Sequence, residues 1–288
     1  MCLSPRYIWS FLVESVVRFS DARAAGRGAA ISFYAVTAIV PVLLVVITVA
    51  GLAIGRDAAS TAVFAQFESL LGRTESDILR RAVMEASRPA VSAVATLVSA
   101  VTLVFSTSGV FLELEEALNS IWEAEPRENL MSMARARVIS LGLVIALGFL
   151  LLVSLIIDTG IAGVSLWMDD YLPSGKVLLL IISQLFSFVF FTAIFAGILK
   201  YLPKRPIAWC DVMTGAAFTA ALFIAGKLLI GWYLARSTMV SALGEAGALL
   251  ALLFWVYYTA QIFLFGAACT RVAADHRARG RAGAAECG

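Results

Sequence analysis

The sequence predicts an all-α polytopic membrane protein, a bundle of six transmembrane helices with an outer amphipathic helical pair. Three observations predict it. Of 288 residues, 61% are hydrophobic and 15% charged, with a mean hydropathy of +0.90, against about 25% charged residues in soluble domains. Six apolar runs are each long enough, at about 1.5 Å per residue, to cross a hydrocarbon core of about 30 Å. Lys and Arg are also unevenly shared. Fourteen of the 22 fall in the two termini and in the second and fourth connections between spans, and seven on the other side. By the positive-inside rule both termini are cytoplasmic.

Residues 1–28 form a cytoplasmic arm in which Ile8, Phe11, Leu12, Ser15 and Phe19 recur at helical spacing beside Trp9. That face is expected on the membrane surface. The arm is too long and too amphipathic for the leading segment of a cleavable signal peptide. Span one covers 29–54 and carries Ser32, Phe33, Tyr34 and Thr37 ahead of Pro41. Proline has no N–H to donate, so carbonyls near Thr37 lose a partner and a kink is expected. The insert 55–89 reads as the outer helical pair. Val63, Phe64, Phe67, Leu70 and Leu71 share one helical face, Gly72 stops that helix, and a second one follows over 75–86.

Span two, 90–112, carries Thr96, Ser99, Thr102, Ser106 and Gly109 on one face. Such a stripe of small residues lets another helix approach closely. An amphipathic continuation follows, with Leu114, Leu118, Ile121 and Trp122 on one face and Glu113, Glu116 and Glu123 elsewhere, ended by Pro126. Span three is 138–157, followed by an outer connection holding Asp158, Asp169 and Asp170. Span four is 177–199, and Lys204 and Arg205 mark a tight basic turn before spans five and six, 212–235 and 247–270. The membrane domain thus runs over 29–271. Residues 272–288, rich in Gly and Ala around His276, Arg277, Arg279 and Arg281, read as a disordered cytoplasmic tail.

The chemistry is sparse. Cys2, Cys210, Cys269 and Cys287 have no metal-ligand spacing and fall on the cytoplasmic side, where thiols stay reduced. No GxxxxGK[ST] loop is present, and no cofactor is expected. The most informative residue is Lys227, inside span five, because an ammonium there costs about 2.5–3.5 kcal/mol on insertion scales. Candidate partners are Glu245, Asp158 and the Tyr233 hydroxyl. Two readings stand side by side. The lysine stem snorkels to the interface, or Lys227 lines a cavity open to the outer leaflet and attracts an anionic head group.

The run Arg-Gly-Ala-Ala-Ile-Ser-Phe-Tyr (27–34) leading to Pro41, the segment Ser-Gly-Val-Phe-Leu-Glu-Leu-Glu-Glu-Ala-Leu-Asn-Ser-Ile-Trp (108–122), and Tyr-Leu-Pro (201–203) through Trp209 and Asp211 resemble the YihY/BrkB family. So do Gly-Lys-Leu-Leu-Ile-Gly-Trp-Tyr-Leu (226–234) and Trp-Val-Tyr-Tyr-Thr-Ala-Gln-Ile-Phe-Leu-Phe-Gly-Ala (255–267). The resemblance spans about 21–273. It implies a six-span protein of the bacterial inner membrane. Members have carried the label ribonuclease BN, and some are described as virulence factors or exporters of lipid-like molecules. By family match Tyr34 and Pro41 join the candidate pathway residues, each with helix kinking and packing as the alternative. Asn119, Trp122, Gly226 and Gln261 are family-motif positions of structural character. The chain departs from the family at Ala268, where Glu is common, at Leu243, where Tyr is common, at Glu245, which replaces a small residue, and at Glu113 and Glu115, where Gln is common.

These residues favour a transporter of an amphiphilic, lipid-like substrate, with membrane lipids as partners and no nucleic acid. A non-transporting scaffold or assembly factor is the alternative. Ribonuclease activity is disfavoured, because one His in a tail and a helix face of glutamates supply neither a metal site nor an acid–base pair, and no basic stripe with interleaved aromatics is present to hold RNA.

Overall fold

A computed structural model describes residues 5–71, 73–87, 93–124, 175–203, 205, 207–236 and 245–286. Among the described residues there are eight helices and no strand: α1 (Pro5–Asp21), α2 (Ala24–Ile54), α3 (Arg56–Leu71), α4 (Arg73–Ala86), α5 (Ala93–Ile121), α6 (Gly175–Tyr201), α7 (Trp209–Arg236) and α8 (Glu245–Glu286). Four of them, α2, α6, α7 and α8, contain stretches long and apolar enough to cross a membrane. The expected third span, 138–157, and Asp158 lie outside the described residues. Residues 93–112 of the expected second span, 90–112, lie in α5, and 90–92 are outside the described residues.

α2 packs on α5 and α8, α6 on α7, α7 on α8, and α1 along α8; α3 lies against α2, and α4 against α2 and α8. The core that results includes Leu118, Leu199, Val212, Leu264 and Val272, all fully buried. Outward, the spans present Phe33, Val49, Leu52, Leu185, Val189 and Phe254. An apolar exterior suits helices whose neighbour is lipid.

α2 begins after a two-residue turn in which Arg23 is left-handed (φ 49°). It ends at Gly55 (φ 88°), whose N–H bonds the Gly51 carbonyl at 3.0 Å, a place where a Cβ would be strained. The helix continues through Pro41. The Thr37 hydroxyl lies 3.1 Å from the Phe33 carbonyl and 2.9 Å from that of Tyr34, and its oxygen is 3.1 Å from Ser106 Oγ on α5. α3 and α4 form the expected pair at 55–89. Val63 and Phe64 on α3, and Leu79 and Val83 on α4, are buried in the shared core, and buried Ser76 donates to the Phe64 carbonyl at 3.0 Å.

Three expectations need correction. α5 ends at Ile121, before Pro126, because Glu123 takes a left-handed conformation (φ 48°). The bonds Ala124 N–H to Asn119 O (2.9 Å) and Glu123 N–H to Ser120 O (3.2 Å) then close a Schellman end with glutamate at the position glycine usually fills. The stretch from 272, expected to be disordered, continues α8 as far as Glu286. Arg271, Asp275, His276 and Arg277 on it are held by side chains of α1 and α7 and of the segment closing α5. In α1, Phe11, Ser15 and Phe19 face α8 rather than the membrane surface. Phe19 meets Phe265 edge-on at 6.0 Å, Phe11 meets His276 at 6.3 Å, and Ser15 is fully buried beside Cys269.

Candidate functional site

Two polar regions are built into the helices, one where α1, α5 and α8 meet and one along the α2–α5 seam. The first lies at the end of the bundle that carries α1 and the last turns of α8, called here the terminal end. Its centre is Arg271, 12% exposed, which lies 3.3 Å from Asp275 and 3.7 Å from Glu123. Arg18 of α1 pairs with Glu123 and, at 3.3 Å, with Asp275. The guanidinium of Arg271 lies 5.4 Å from the centre of the Trp122 ring, a cation–π contact on a nearly fully buried indole. Arg205 donates to the Trp122 carbonyl at 3.4 Å. Trp122 Nε1 and Arg271 Nε are buried and meet no acceptor among the described residues.

The left-handed Glu123 explains how this centre forms. The Schellman end of α5 turns the chain so that one carboxylate reaches arginines from two other helices, and charge pairing offsets a backbone conformation that costs on the order of 1–3 kcal/mol. Further out, Arg277 reaches Asp211 at the start of α7 at 2.5 Å, and His276 Nε2 lies 2.7 Å from Glu14.

The second region follows the α2–α5 seam. Arg27 lies 2.9 Å from Glu116 and 3.7 Å from Glu113, with all three side chains partly or largely exposed. Further along the same seam, the Tyr34 ring lies flat on Gly109, where an added Cβ would come within 2.7 Å of it. Thr37 and Ser106 join just beyond. The small-residue stripe is thus a packing surface where it is described, at Ser106 and Gly109. This seam carries a guanidinium, two carboxylates and two hydroxyls, of which that of Ser106 is buried.

The expected site residues divide accordingly. Tyr34 lies on the α2–α5 seam, Pro41 stands two turns further along α2, and Asn119 and Trp122 close α5. Gln261 of α8 donates to the Ala25 carbonyl at 3.3 Å and lies against Gly28, where an added Cβ would come within 2.2 Å of its amide nitrogen and displace it. Gly226 sits against the Tyr258 ring. Lys227 belongs to α7, beside Gly226, and Glu245 opens α8. The side chains of Lys227, Tyr233 and Glu245 lie outside the described part of the structure. Sequence reasoning missed Arg18, Arg271 and Asp275. One signal for them was available, since Arg271 and Asp275 stand four apart, the spacing of a helical ion pair.

Residues 15–286 match the model of a family described as virulence factor BrkB. A UPF0761 membrane protein of Azotobacter vinelandii is 28% identical over 269 residues, covering 90% of this chain and 61% of that protein. One from Pseudomonas aeruginosa is 27% identical over 258 residues, 87% of this chain and 59% of its own length. One from Mannheimia succiniciproducens is 24% identical over 267 residues, 90% of this chain and 88% of its own. The chain therefore spans about three-fifths of the length of the first two relatives. No solved structure matches.

Proposed function

The chain belongs to the virulence factor BrkB family of membrane proteins, and on that premise we propose that it moves an amphiphilic, lipid-like substrate across a bacterial inner membrane. The proposal places six spans, with α5 and residues 138–157 as the second and third, and puts the terminal end in the cytoplasm. The observation that carries it is the polar track on the α2–α5 seam, where Arg27, Glu113 and Glu116 precede Thr37 and Ser106. A charged head group could exchange with the ion pairs at the mouth while its chains stay in lipid, and Lys227 would offer the matching charge further along. The glutamates of α5 and of the turn closing it that are seen in ion pairs, Glu113, Glu116 and Glu123, face arginines rather than one another, which is why no phosphodiester hydrolysis is included.

The test is lipid scrambling in vesicles reconstituted with the purified protein, using a head-group-labelled fluorescent lipid and a membrane-impermeant quencher. The expected result is faster quenching than in empty vesicles, slowed by Glu113→Gln with Glu116→Gln and by Lys227→Met. Quenching no faster than in empty vesicles, with every lipid class tried, would defeat the proposal. It would favour the second reading, a membrane scaffold, to which the close interlock of α7 and α8 also lends support. On each helix a Gly-x-x-x-Thr step meets its counterpart, Gly215 against Thr270 and Gly266 against Thr219.

A further inference from the structure

We infer that α1 is embedded in the leaflet at the terminal end, with Trp9, Val13, Val16 and Val17 in contact with lipid. The inference starts from a helix that is apolar on its outer side. On a surface helix in water, the polar residues face out. In α1 the protein-facing side carries polar residues as well as Phe11 and Phe19, and the outward side over residues 9–17 is largely apolar. Glu14, Ser15 and Arg18 are spent on α8 and on Glu123. Trp9 is 71% exposed, Val16 54%, Val17 51% and Val13 44%. These four, with Leu12 beside them, form one strip at helical spacing on the side away from the protein.

Height along α8 identifies the occupant of that strip. α1 runs antiparallel to α8, with Phe19 at Phe265, Ser15 at Cys269 and Phe11 at His276. The apolar run of α8 ends at Thr270, and Arg271 is the first charge after Glu245. Val16 and Val17 are therefore level with the last turn of a membrane-crossing stretch, and Val13 with the first turn beyond it. A second, independent anchor fixes the interface. Asp211 of α7 reaches Arg277, which puts Trp209 at the height two residues past that contact. Phe11 meets His276, which puts Trp9 two residues past the neighbouring position on α8. Trp9 and Trp209 thus stand within about one helical turn of each other along α8, both exposed, with exposed Tyr201 edge-on to Trp209 at 6.4 Å and Lys200 at 5.2 Å from the same indole. Tryptophan and tyrosine collected at one level, with lysine beside them, mark the boundary between head groups and acyl chains. The strip of α1 lies on the acyl side of that boundary, continuous with the apolar exterior of the spans. A helix so placed sits about 5–10 Å into the head-group and acyl boundary.

The test uses the full chain with Cys2, Cys210 and Cys287 replaced by serine and buried Cys269 by alanine. Single variants Trp9→Cys, Val13→Cys, Val16→Cys and Val17→Cys carry an environment-sensitive fluorophore in phosphatidylethanolamine–phosphatidylglycerol vesicles, with Arg73→Cys as the water-exposed control. The expected result is strong quenching by lipids bearing a nitroxide on the acyl chain at positions 13, 16 and 17. Shallower quenching is expected at 9, and weak quenching by aqueous iodide at all four. Iodide quenching equal to that at position 73 would overturn the inference. So would protection from both quenchers, which would mean that a second copy or another protein covers the strip. Unfolding midpoints in detergent matching the cysteine-free parent confirm that each variant is folded. The outcome does not depend on whether the protein moves lipid.

Discussion

The α7–α8 interface and the junction of α1, α5 and α8 hold the same helix by opposite means. Along α7, α8 is fixed by shape. Gly215 and Gly266 each admit a threonine of the partner helix. An added Cβ would come within 2.8 Å of Thr270 Cβ in one case and 3.0 Å of Thr219 Cβ in the other. Both threonines are fully buried and return their hydroxyl to a glycine carbonyl one turn back, at 2.7 and 2.8 Å. Beyond the interlock, Phe223 meets Phe191 at 4.6 Å, Phe195 at 5.8 Å and Trp255 at 5.9 Å. At the terminal junction, α8 is fixed by charge instead, through Arg271, Asp275 and the residues they pair with. Lipid tails are as apolar as leucine, so an apolar face alone does not choose a helix over lipid as its neighbour. One region solves this with close fit and the other with groups that lipid cannot satisfy.

The contrast can be broken from either side. Gly215→Val should have the largest effect, about 3 kcal/mol at the upper end of overpacking costs, read as a lower unfolding midpoint that does not change with salt. Arg271→Ala should cost about 2 kcal/mol, less than the 3–5 kcal/mol of a fully buried pair because its partners are partly exposed. Arg18→Gln should cost about 1 kcal/mol, and that difference should shrink at 1 M salt, where the screening length is about 3 Å. If the penalty of Gly215→Val proved to be the salt-dependent one, the division would be wrong. The smallest effect is expected at Ser106→Ala, about 0.6 kcal/mol, the mean for interhelical hydrogen bonds in a membrane protein. A much larger loss there would make the Thr37–Ser106 contact a second lock rather than a polar step on a seam.

Much of this fold is legible in the sequence, and the failures have two causes. Hydropathy placed α2, α6, α7 and α8. Helical spacing placed the α3–α4 pair, and the small stripe at Ser106 and Gly109 pointed to close packing, which Tyr34 and Thr37 supply. What periodicity cannot do in a membrane protein is say which neighbour an apolar face has. In α1, Phe11 and Phe19 turned to α8 while Trp9 and Val16 turned outward, and both faces carry apolar residues. The Gly-x-x-x-Thr interlock had the same ambiguity, since one such step is common in apolar helices and only the antiparallel pairing of two gives it meaning. The continuation of α8 was hidden for a different reason. Its composition resembles a loose tail, and the partners that order it, Glu14, Arg18 and Asp211, are remote in sequence. Of the candidate site, the family-motif residues Trp122, Gly226 and Gln261 lie at contacts between helices.

α8 runs unbroken for 42 residues, about 63 Å at 1.5 Å per residue. Mechanically it is a rod gripped near its middle, by α7 at Gly266 and Thr270 and by α1 from Phe265 to His276. The Glu245 tip lies about 31 Å from Gly266 at 1.5 Å per residue, whereas Arg271 directly follows Thr270. A tilt of about five degrees on that grip would carry the tip through about 3 Å, half the height of a helical turn, and leave the ion pairs around Arg271 nearly still. The glycine interlock and the charged junction thus act together as one bearing, with the Glu245 end as the long arm.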